Sequence, residues 1–291
     1  MENRSQAISI IGSGFTGIAV GKGLSLLGYK IIFYDVEYKD LPNFTTNIDQ
    51  AIDDSSISII CVPTPTLENG DIDLSFLKDA INSIASKLQY KKQYHLIVIK
   101  STVVPMTTES FVIPELEKVS RKRAGTDFGI CVNPEFMTEC SHSWDKDGIF
   151  DKNFFTEDRI VIGEYDQKSG DLLEQIYKPL NLPIWRVDLK TAELIKYAAN
   201  CMLATKISYW NEIFLICKQM GIDSNLVAAA VADDPRIGKY GIVHGKAFGG
   251  KCLPKDLKAF ISLAKRYHRP ILLEAVDTIN EIMKQKYGVR E

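Results

Sequence analysis

The sequence predicts an α/β domain built on a doubly wound parallel sheet, followed by an all-helical domain. Three observations predict it. Short apolar runs alternate with helical patterns over the first 165 of 291 residues. The first apolar run, Ile8 to Ile11, leads straight into Gly12-Ser13-Gly14-Phe15-Thr16-Gly17 and then a helical pattern. Beyond Asp188 the helical period continues and the strand-like runs stop. Strands alternating with helices imply a parallel sheet covered on both faces. The expected division is therefore residues 1–188 for the α/β domain and 189–291 for the helical one.

In order, Ile8 to Ile11 reads as a strand, Thr16 to Leu27 as a helix closed by Gly28, and Lys30 to Val36 as a second strand. Ser58 to Val62, Leu96 to Lys100, Gly129 to Val132 and Arg159 to Ile162 are further strands. Asp73 to Leu88 and Thr107 to Lys122 carry the 3.6-residue period of helices. Cys140 to Glu157 is polar and aperiodic, and reads as a loop. Thr191 to Met220 is a long helix closed by Gly221, and Asp223 to Ala232 a shorter one. Lys255 to Tyr267 and Ile271 to Lys286 complete the helical half, separated by Pro270.

Apolar residues make up 45% and charged residues 25%, ordinary for a globular protein. The formal net charge of −2 offers no electrostatic footprint for nucleic acid or an anionic membrane. Arg121-Lys122-Arg123 is too short a basic run to change that. No apolar run reaches the roughly 18 residues that span a bilayer. The polar start, Met1 to Ala7, does not read as a signal peptide. Six cysteines show neither a CxxC pair nor metal-ligand spacing with the four histidines. The expectation is free thiols, no bound metal and a cytoplasmic setting.

The glycine turn sits where a dinucleotide fingerprint requires it. Gly12 permits the tight turn, Gly14 lets the backbone approach a pyrophosphate, and Gly17 lets the helix pack on the strand. The helix N-terminus offers free N–H groups and partial positive charge to phosphates. Asp35 follows about 20 residues on, where an acid binds ribose hydroxyls. A carboxylate there repels a 2′-phosphate, so NAD is expected over NADP, in a Rossmann-type domain.

Phe248-Gly249-Gly250-Lys251-Cys252-Leu253-Pro254-Lys255-Asp256 is the other informative stretch. Two glycines give a backbone that a substrate can approach closely. Asp256 follows Cys252 by four residues, one turn along the helix opening near Pro254. A helix N-terminus stabilises a thiolate, which a nucleophilic cysteine needs at neutral pH. Spacing alone leaves two readings: a nucleophile, or a small buried cysteine at a loop–helix junction.

With these stretches goes a set of ordered motifs. They are Cys61-Val62-Pro63-Thr64-Pro65, Lys100-Ser101-Thr102-Val103-Val104-Pro105 and Asn133-Pro134-Glu135-Phe136-Met137-Thr138-Glu139. Ala192-Glu193-Leu194-Ile195-Lys196-Tyr197-Ala198-Ala199-Asn200 and Asp234-Pro235-Arg236-Ile237-Gly238 follow. The chain thereby resembles the UDP-glucose, GDP-mannose and UDP-N-acetylmannosamine dehydrogenases over nearly all its length. The resemblance implies Cys252 as nucleophile, and Lys196 with Asn200 as the pair that stabilises an oxyanion. It implies Asp256 as the acid that assists proton transfer, Glu139 in thioester hydrolysis and Thr102 in a water network beside the nicotinamide. Phe15, Thr16, Thr64, Pro65, Ser101, Thr102, Glu139 and Lys255 are implied at the cofactor. Glu135, Phe136, Lys196, Asn200, Phe248 and Gly249 are implied at the substrate, with Arg236 reaching it across a dimer interface.

Four departures from the family pattern stand out. Lys251 precedes the cysteine where serine is usual, Met106 stands where glycine is common, and Cys140 follows Glu139 where Gly or Ser is usual. The loop running on through Lys152 and Phe155 is longer than usual. The family also continues into a second α/β domain that binds the nucleotide, whereas here the sequence stops after Gly288-Val289-Arg290-Glu291. That reads as a short form whose nucleotide wall a separate chain could supply. The expected activity is four-electron oxidation of a nucleotide sugar by NAD, UDP-glucose to UDP-glucuronate first, GDP-mannose or UDP-N-acetylmannosamine as alternatives. A one-step hydroxyacid dehydrogenase and a non-catalytic NAD-binding partner subunit are the rivals. A homodimer through Thr191 to Met220 is expected, because that stretch carries more apolar surface than one helical layer covers.

Overall fold

The computed structural model describes residues 6–138 and 151–290. They form two compact units. The first takes in the chain to Pro65, Ile72–Met137 and Lys152–Lys196; the second takes in Thr66–Asp71 and the chain from Tyr197 onward.

The first unit holds strands β1 (Ala7–Ile11), β2 (Lys30–Tyr34), β3 (Phe44–Thr45), β4 (Ile57–Ile60), β5 (His95–Ile99), β6 (Phe128–Val132), β7 (Ile160–Glu164) and β8 (Ile184–Asp188). Their order in the sheet is β3-β2-β1-β4-β5-β6-β7-β8. Ile8 lies between Ile31 and Ile57, and every residue of β1, β4, β5 and β6 is buried. Such strands read as continuous apolar runs, which is why the sequence displays them. Helices α1 (Phe15–Leu26), α2 (Ile48–Asp53), α3 (Ser75–Leu88), α4 (Ile113–Ser120) and α5 (Gln167–Tyr177) belong to this unit.

The sheet corrects the expectation of wholly parallel pairing. β7 runs antiparallel to β6, through Cys131 opposite Glu164 and Val132 opposite Gly163. Parallel neighbours need a long crossover, usually a helix; antiparallel ones do not. The described part of the β6–β7 connection has no helix, and it includes Phe154, buried in the sheet core against Gly23.

Four elements had no signal. α2 is only six residues long and depends on Asn47, whose side chain caps Asp49 and Gln50. β3 is two residues long. α5 is fixed by Asp166, which accepts from the Ser169 N–H. β8 ends the sheet, and Trp185 on it is 60% exposed, so no apolar run marks it. The helix expected over Thr107 to Lys122 opens as a π-helical turn, Thr108–Val112, before α4. Pro114 follows at the start of α4 and has no N–H to give the helical ladder.

The long helix α6 (Leu189–Met220) contributes its first turns to the first unit and the rest to the second. Further elements of the second unit are α7 (Ser224–Ala232), β9 (Ala247–Phe248), α8 (Leu253–Ala264), α9 (Ile271–Tyr287) and β10 (Val289–Arg290). Its core joins Cys201, Ala204 and Ile207 of α6 to Phe248, to Leu257 and Ile261 of α8, and to Val276 of α9. β9 and β10 pair in parallel, which corrects the all-helical expectation. Gly249 permits that pairing: a Cβ there would sit 2.3 Å from Val289. Two-residue strands leave no periodic trace.

Candidate active site

The nucleotide turn follows from backbone geometry. Gly12 has φ of +97°, and a side chain there would meet the Cys61 carbonyl at 2.9 Å. A Cβ on Gly17 would lie 2.0 Å from the Gly12 oxygen, so α1 packs directly on the turn. Gly14 is the N-cap of α1, and the space a side chain would fill there is open to 4 Å. No side chain caps α1 and no acid occupies its first turn. The N–H groups and helix dipole at that end are therefore available to a diphosphate. Asp35, just past β2, accepts the Ser13 N–H at 2.7 Å and the Glu37 N–H at 3.2 Å, fixing its carboxylate beside the turn. These residues fit NAD. In the first turn of α1 Phe15 is 49% exposed and Thr16 half-buried.

The loops after β4 and β5 are tied together, and both leave the carboxyl ends of parallel strands, where open α/β sheets bind ligands. Ser101 donates to the Val62 carbonyl at 2.7 Å, and Thr64 donates to the Thr102 carbonyl at 2.7 Å. Pro65 closes the first loop, and its carbonyl accepts from Asp73.

Buried charge gathers in the same unit. Lys100, 4% exposed, donates to Asn133 at 2.8 Å, and Asn133 donates to the Val161 carbonyl at 2.8 Å. Lys196, also 4% exposed, donates to the Glu135 carbonyl at 2.6 Å and to its carboxylate at 3.2 Å. Its ammonium lies 5.4 Å from the Phe136 ring centre. Glu157 accepts the Phe136 N–H at 3.0 Å, and burial pushes its carboxyl up, partly offset by Lys100. Burial pulls the Lys100 ammonium down, but Tyr177, Glu157, Cys61 and Glu135 outweigh it and raise the group overall.

Glu193, at 2% exposure, accepts from the Met106 N–H, the Thr108 N–H and the Thr108 hydroxyl at 2.7, 2.9 and 2.7 Å. It thereby fixes the end of the Ser-Thr-Val-Val-Pro loop. Met106 has φ of +78°, which explains why a glycine is at home there. Burial pushes Glu193 up to about 7, against its Thr108 and Met106 hydrogen bonds.

In the second unit Cys252 is the N-cap of α8, so the helix begins at Leu253, two residues earlier than the sequence suggested. Its carbonyl accepts from the Asp256 N–H at 2.9 Å. Asp256 is 1% exposed and accepts from Asn200 at 2.6 Å and from Lys255 at 2.6 Å. The structure thus brings Asn200, Lys255 and Asp256 together in the first turn after the cysteine. Burial, then Asp256, pushes the neighbouring Cys201 thiol up to about 12. Phe248 is buried and Gly249 follows it in extended pairing with β10. Arg236 is instead held on the surface by Asp234, with nitrogen–oxygen distances of 3.0 and 2.6 Å and an 87% exposed side chain. Glu139 and Cys140 lie outside the described residues.

The sequence reading assigned no role to Glu193, Glu157, Lys100 or Asn133. Glu193 offered one signal, an acid flanked by apolar residues near the start of a helix. Glu157, in an aperiodic stretch, offered none.

The glycine turn with its acidic partner defines the class: a protein with a dinucleotide-binding domain of the Rossmann type. The UDP-glucose/GDP-mannose dehydrogenase family NAD binding domain matches residues 38–181, and the central domain of that family matches residues 190–282. Over 281 residues the chain is 37% identical to a GDP-mannose 6-dehydrogenase from Pseudomonas aeruginosa, covering 87% of this chain and 63% of that protein. It is 33% identical to a UDP-glucose 6-dehydrogenase from Haloferax volcanii, covering 94% of this chain and 69% of the relative. The structure of a UDP-glucose dehydrogenase from the archaeon Pyrobaculum islandicum is similar with a TM-score of 0.86 at 30% identity, covering 96% of this chain and 69% of that one. The chain belongs to the UDP-glucose/GDP-mannose dehydrogenase family. It spans less than two thirds of the Pseudomonas relative's length.

Proposed function

We propose that this chain performs the NAD-dependent, four-electron oxidation of a nucleotide sugar, converting a primary alcohol to a carboxylate. The observation that carries this reading is the cluster of Cys252 at the α8 N-cap with Asp256 one turn on, bonded to Asn200 and Lys255. NAD, held by the Gly12–Gly17 turn and Asp35, supplies the hydride acceptor for both oxidations. The Cys252 sulfur bonds to the aldehyde carbon and keeps the sugar on the enzyme as thiohemiacetal and then thioester, until water releases acid and free thiol. Lys196 and Asn200, four residues apart on α6, donate to the oxygen on which negative charge develops. Asp256 moves the proton, Glu139 serves thioester hydrolysis and Thr102 orders water.

UDP-glucose is the first substrate assigned, on the likeness to the Haloferax relative and to the Pyrobaculum structure with its TM-score of 0.86. GDP-mannose is the second, on the 37% identity of the Pseudomonas relative. Turnover of each sugar nucleotide, with NADH counted per sugar, tests this. Two NADH per sugar support the four-electron reading; one points to a single-step alcohol dehydrogenase. Cys252→Ser should keep NAD binding and lose acid formation, because serine without a base is a poor nucleophile at neutral pH. Acid formed at the wild-type rate would sink the thioester route.

The working form is proposed to be a homodimer through α6. Of the apolar side chains the sequence placed on that helix, Tyr197, Ile207 and Trp210 are buried within the chain. Leu194, Tyr209 and Ile216 are exposed, as are Met202 and Met220. Arg236 would then reach the substrate of the second copy. A monomeric mass by light scattering at micromolar concentration would count against both.

A further inference from the structure

The backbone leading to Cys252 is held by two buried amides from different helices. Asn211 of α6 is fully buried; it donates to the Lys246 carbonyl at 2.8 Å and accepts the Gly245 N–H at 2.8 Å. Asn280 of α9, 4% exposed, accepts the Phe248 N–H at 2.8 Å and donates to the Phe248 carbonyl at 3.1 Å. On the β10 side, Ala247 gives its N–H to the carbonyl of Gly288, the residue before that strand, and Gly249 gives its own to the Arg290 carbonyl, both at 3.0 Å. Ala247 and Phe248 at its centre are buried, and buried backbone cannot leave its polar groups unpaired. A two-residue ladder serves one edge of it, and the two asparagines serve Gly245, Lys246 and Phe248.

The placement on α6 links this brace to the catalytic cluster. Asn200 and Asn211 are eleven residues apart, close to three helical turns, so they share one face. Asn200 holds Asp256, downstream of the cysteine, and Asn211 holds Gly245 and Lys246, upstream of it. Only Gly249, Gly250 and Lys251 lie between the Phe248 anchor and Cys252, and Gly250 has φ of +74°. With both ends fastened, three residues leave the thiol little choice of position.

We propose that Asn211 and Asn280 are positioning residues that set the place of the Cys252 thiol at the N-cap of α8, an inference that rests on reading Cys252 as the nucleophile. Each side chain supplies one donor and one acceptor to the loop, a match that no apolar residue of similar size can make.

The test uses the full chain with Asn211→Leu and Asn280→Leu, and the milder Asn211→Asp and Asn280→Asp, which keep the acceptor and lose the donor. Mass-mapped alkylation by iodoacetamide, followed against pH, reads Cys252 directly. In the leucine variants Cys252 should react roughly two- to fivefold more slowly at neutral pH, its rate profile moving to higher pH as the thiol leaves the helix end. The aspartates should give a smaller change in the same direction and carry the test where a leucine variant does not fold. Cys201 and Cys217, buried on α6, are internal controls and should not change. Hydrogen exchange should quicken about tenfold across 245–252 while α6 and α9 keep their protection. Acid formation should fall roughly tenfold to a hundredfold at unchanged NAD affinity. A wild-type Cys252 profile in folded variants overturns the proposal. So does uniform loosening in which Cys201 and Cys217 react faster as well. Acid formation surviving Cys252→Ser would refute the nucleophile reading instead, and alkylation and exchange would still decide the brace.

Discussion

Replacing Glu193 with glutamine should remove a pH dependence of folding that the wild-type chain carries. Burial raises the Glu193 carboxyl from 4.5 to about 7. In that interval the folded chain keeps a proton that the unfolded chain releases, so stability is fully present below pH 4.5 and falls as pH rises through 7. At about 1.36 kcal/mol per pH unit, the interval is worth about 3 kcal/mol. His95 works in the opposite direction: burial and Lys91 depress it from 6.5 to about 3. It stays neutral in the fold while the unfolded chain protonates, so its contribution is present above pH 6.5 and lost as pH falls toward 3. The two slopes oppose each other between pH 4.5 and 6.5, so the wild-type profile alone would hide both.

The difference between wild type and Glu193→Gln isolates the carboxylate, because His95 is common to both. Urea unfolding at pH 5, 6, 7 and 8 should show the wild type losing about 2.5 kcal/mol relative to the variant across the series, since pH 5 already lies above the lower end of the interval. The variant carries its own constant penalty. Three donors converge on Glu193, and an amide offers one oxygen to them and turns an NH2 toward the rest. That penalty shifts the curve without tilting it. Parallel curves would refute the argument. They would mean that the three donors hold the carboxylate charged and outweigh its desolvation.

Two further predictions concern the turn and loop at the nucleotide end. Met106→Gly should stabilise the fold by roughly 1 kcal/mol, because methionine is strained at a φ of +78° and glycine is not; an unchanged or lower urea midpoint would count against it. Asp35→Ala should weaken NAD and narrow its preference over NADP, since ribose loses an acceptor and a 2′-phosphate loses a repulsive neighbour; calorimetry with each cofactor gives the ratio, and no change would remove Asp35 from the site.

The legible parts of this molecule were those whose physics is local. Gly12 and Gly17 serve a single six-residue turn, one by its left-handed φ and the other by letting the helix pack on the Gly12 oxygen, and the buried strands of the sheet show as mostly apolar runs. Cys252, Pro254 and Asp256 carry their spacing openly. What escaped depends on partners far along the chain or on elements too short for a period. α2 and α5 stand on single capping side chains, Asn47 and Asp166. The β6–β7 reversal depends on a connection with no periodic signal. Asn211 and Asn280 act on backbone 34 and 32 residues away, and Glu193 on backbone 87 residues away, so no window of sequence contains both halves.

The motifs of the first unit have a physical reason to occur together. Lys100 and Lys196 are cations with almost no exposure, and Glu135 and Glu157 are the acids that face them. An isolated charge moved into such an interior costs several kcal/mol, and the cost is tolerable only where opposite charges and hydrogen bonds meet it. Two cations and two acids balance. Asn133 and the Phe136 N–H take up hydrogen-bonding capacity that the charges leave over. Deleting one member would therefore strand another, so the set is retained or lost as a unit. Lys100, Asn133, Glu135 and Lys196 come from three separate stretches of sequence, and their co-occurrence reports this network rather than four independent demands. It also bears on the proposed chemistry. Lys196 spends two of its three protons on Glu135, on the carbonyl and the carboxylate, and these contacts hold the ammonium in place. One proton remains for a developing oxyanion. A cation fixed beforehand in this way need not reorganise when charge appears, which is where electrostatic stabilisation of a transition state gains its strength.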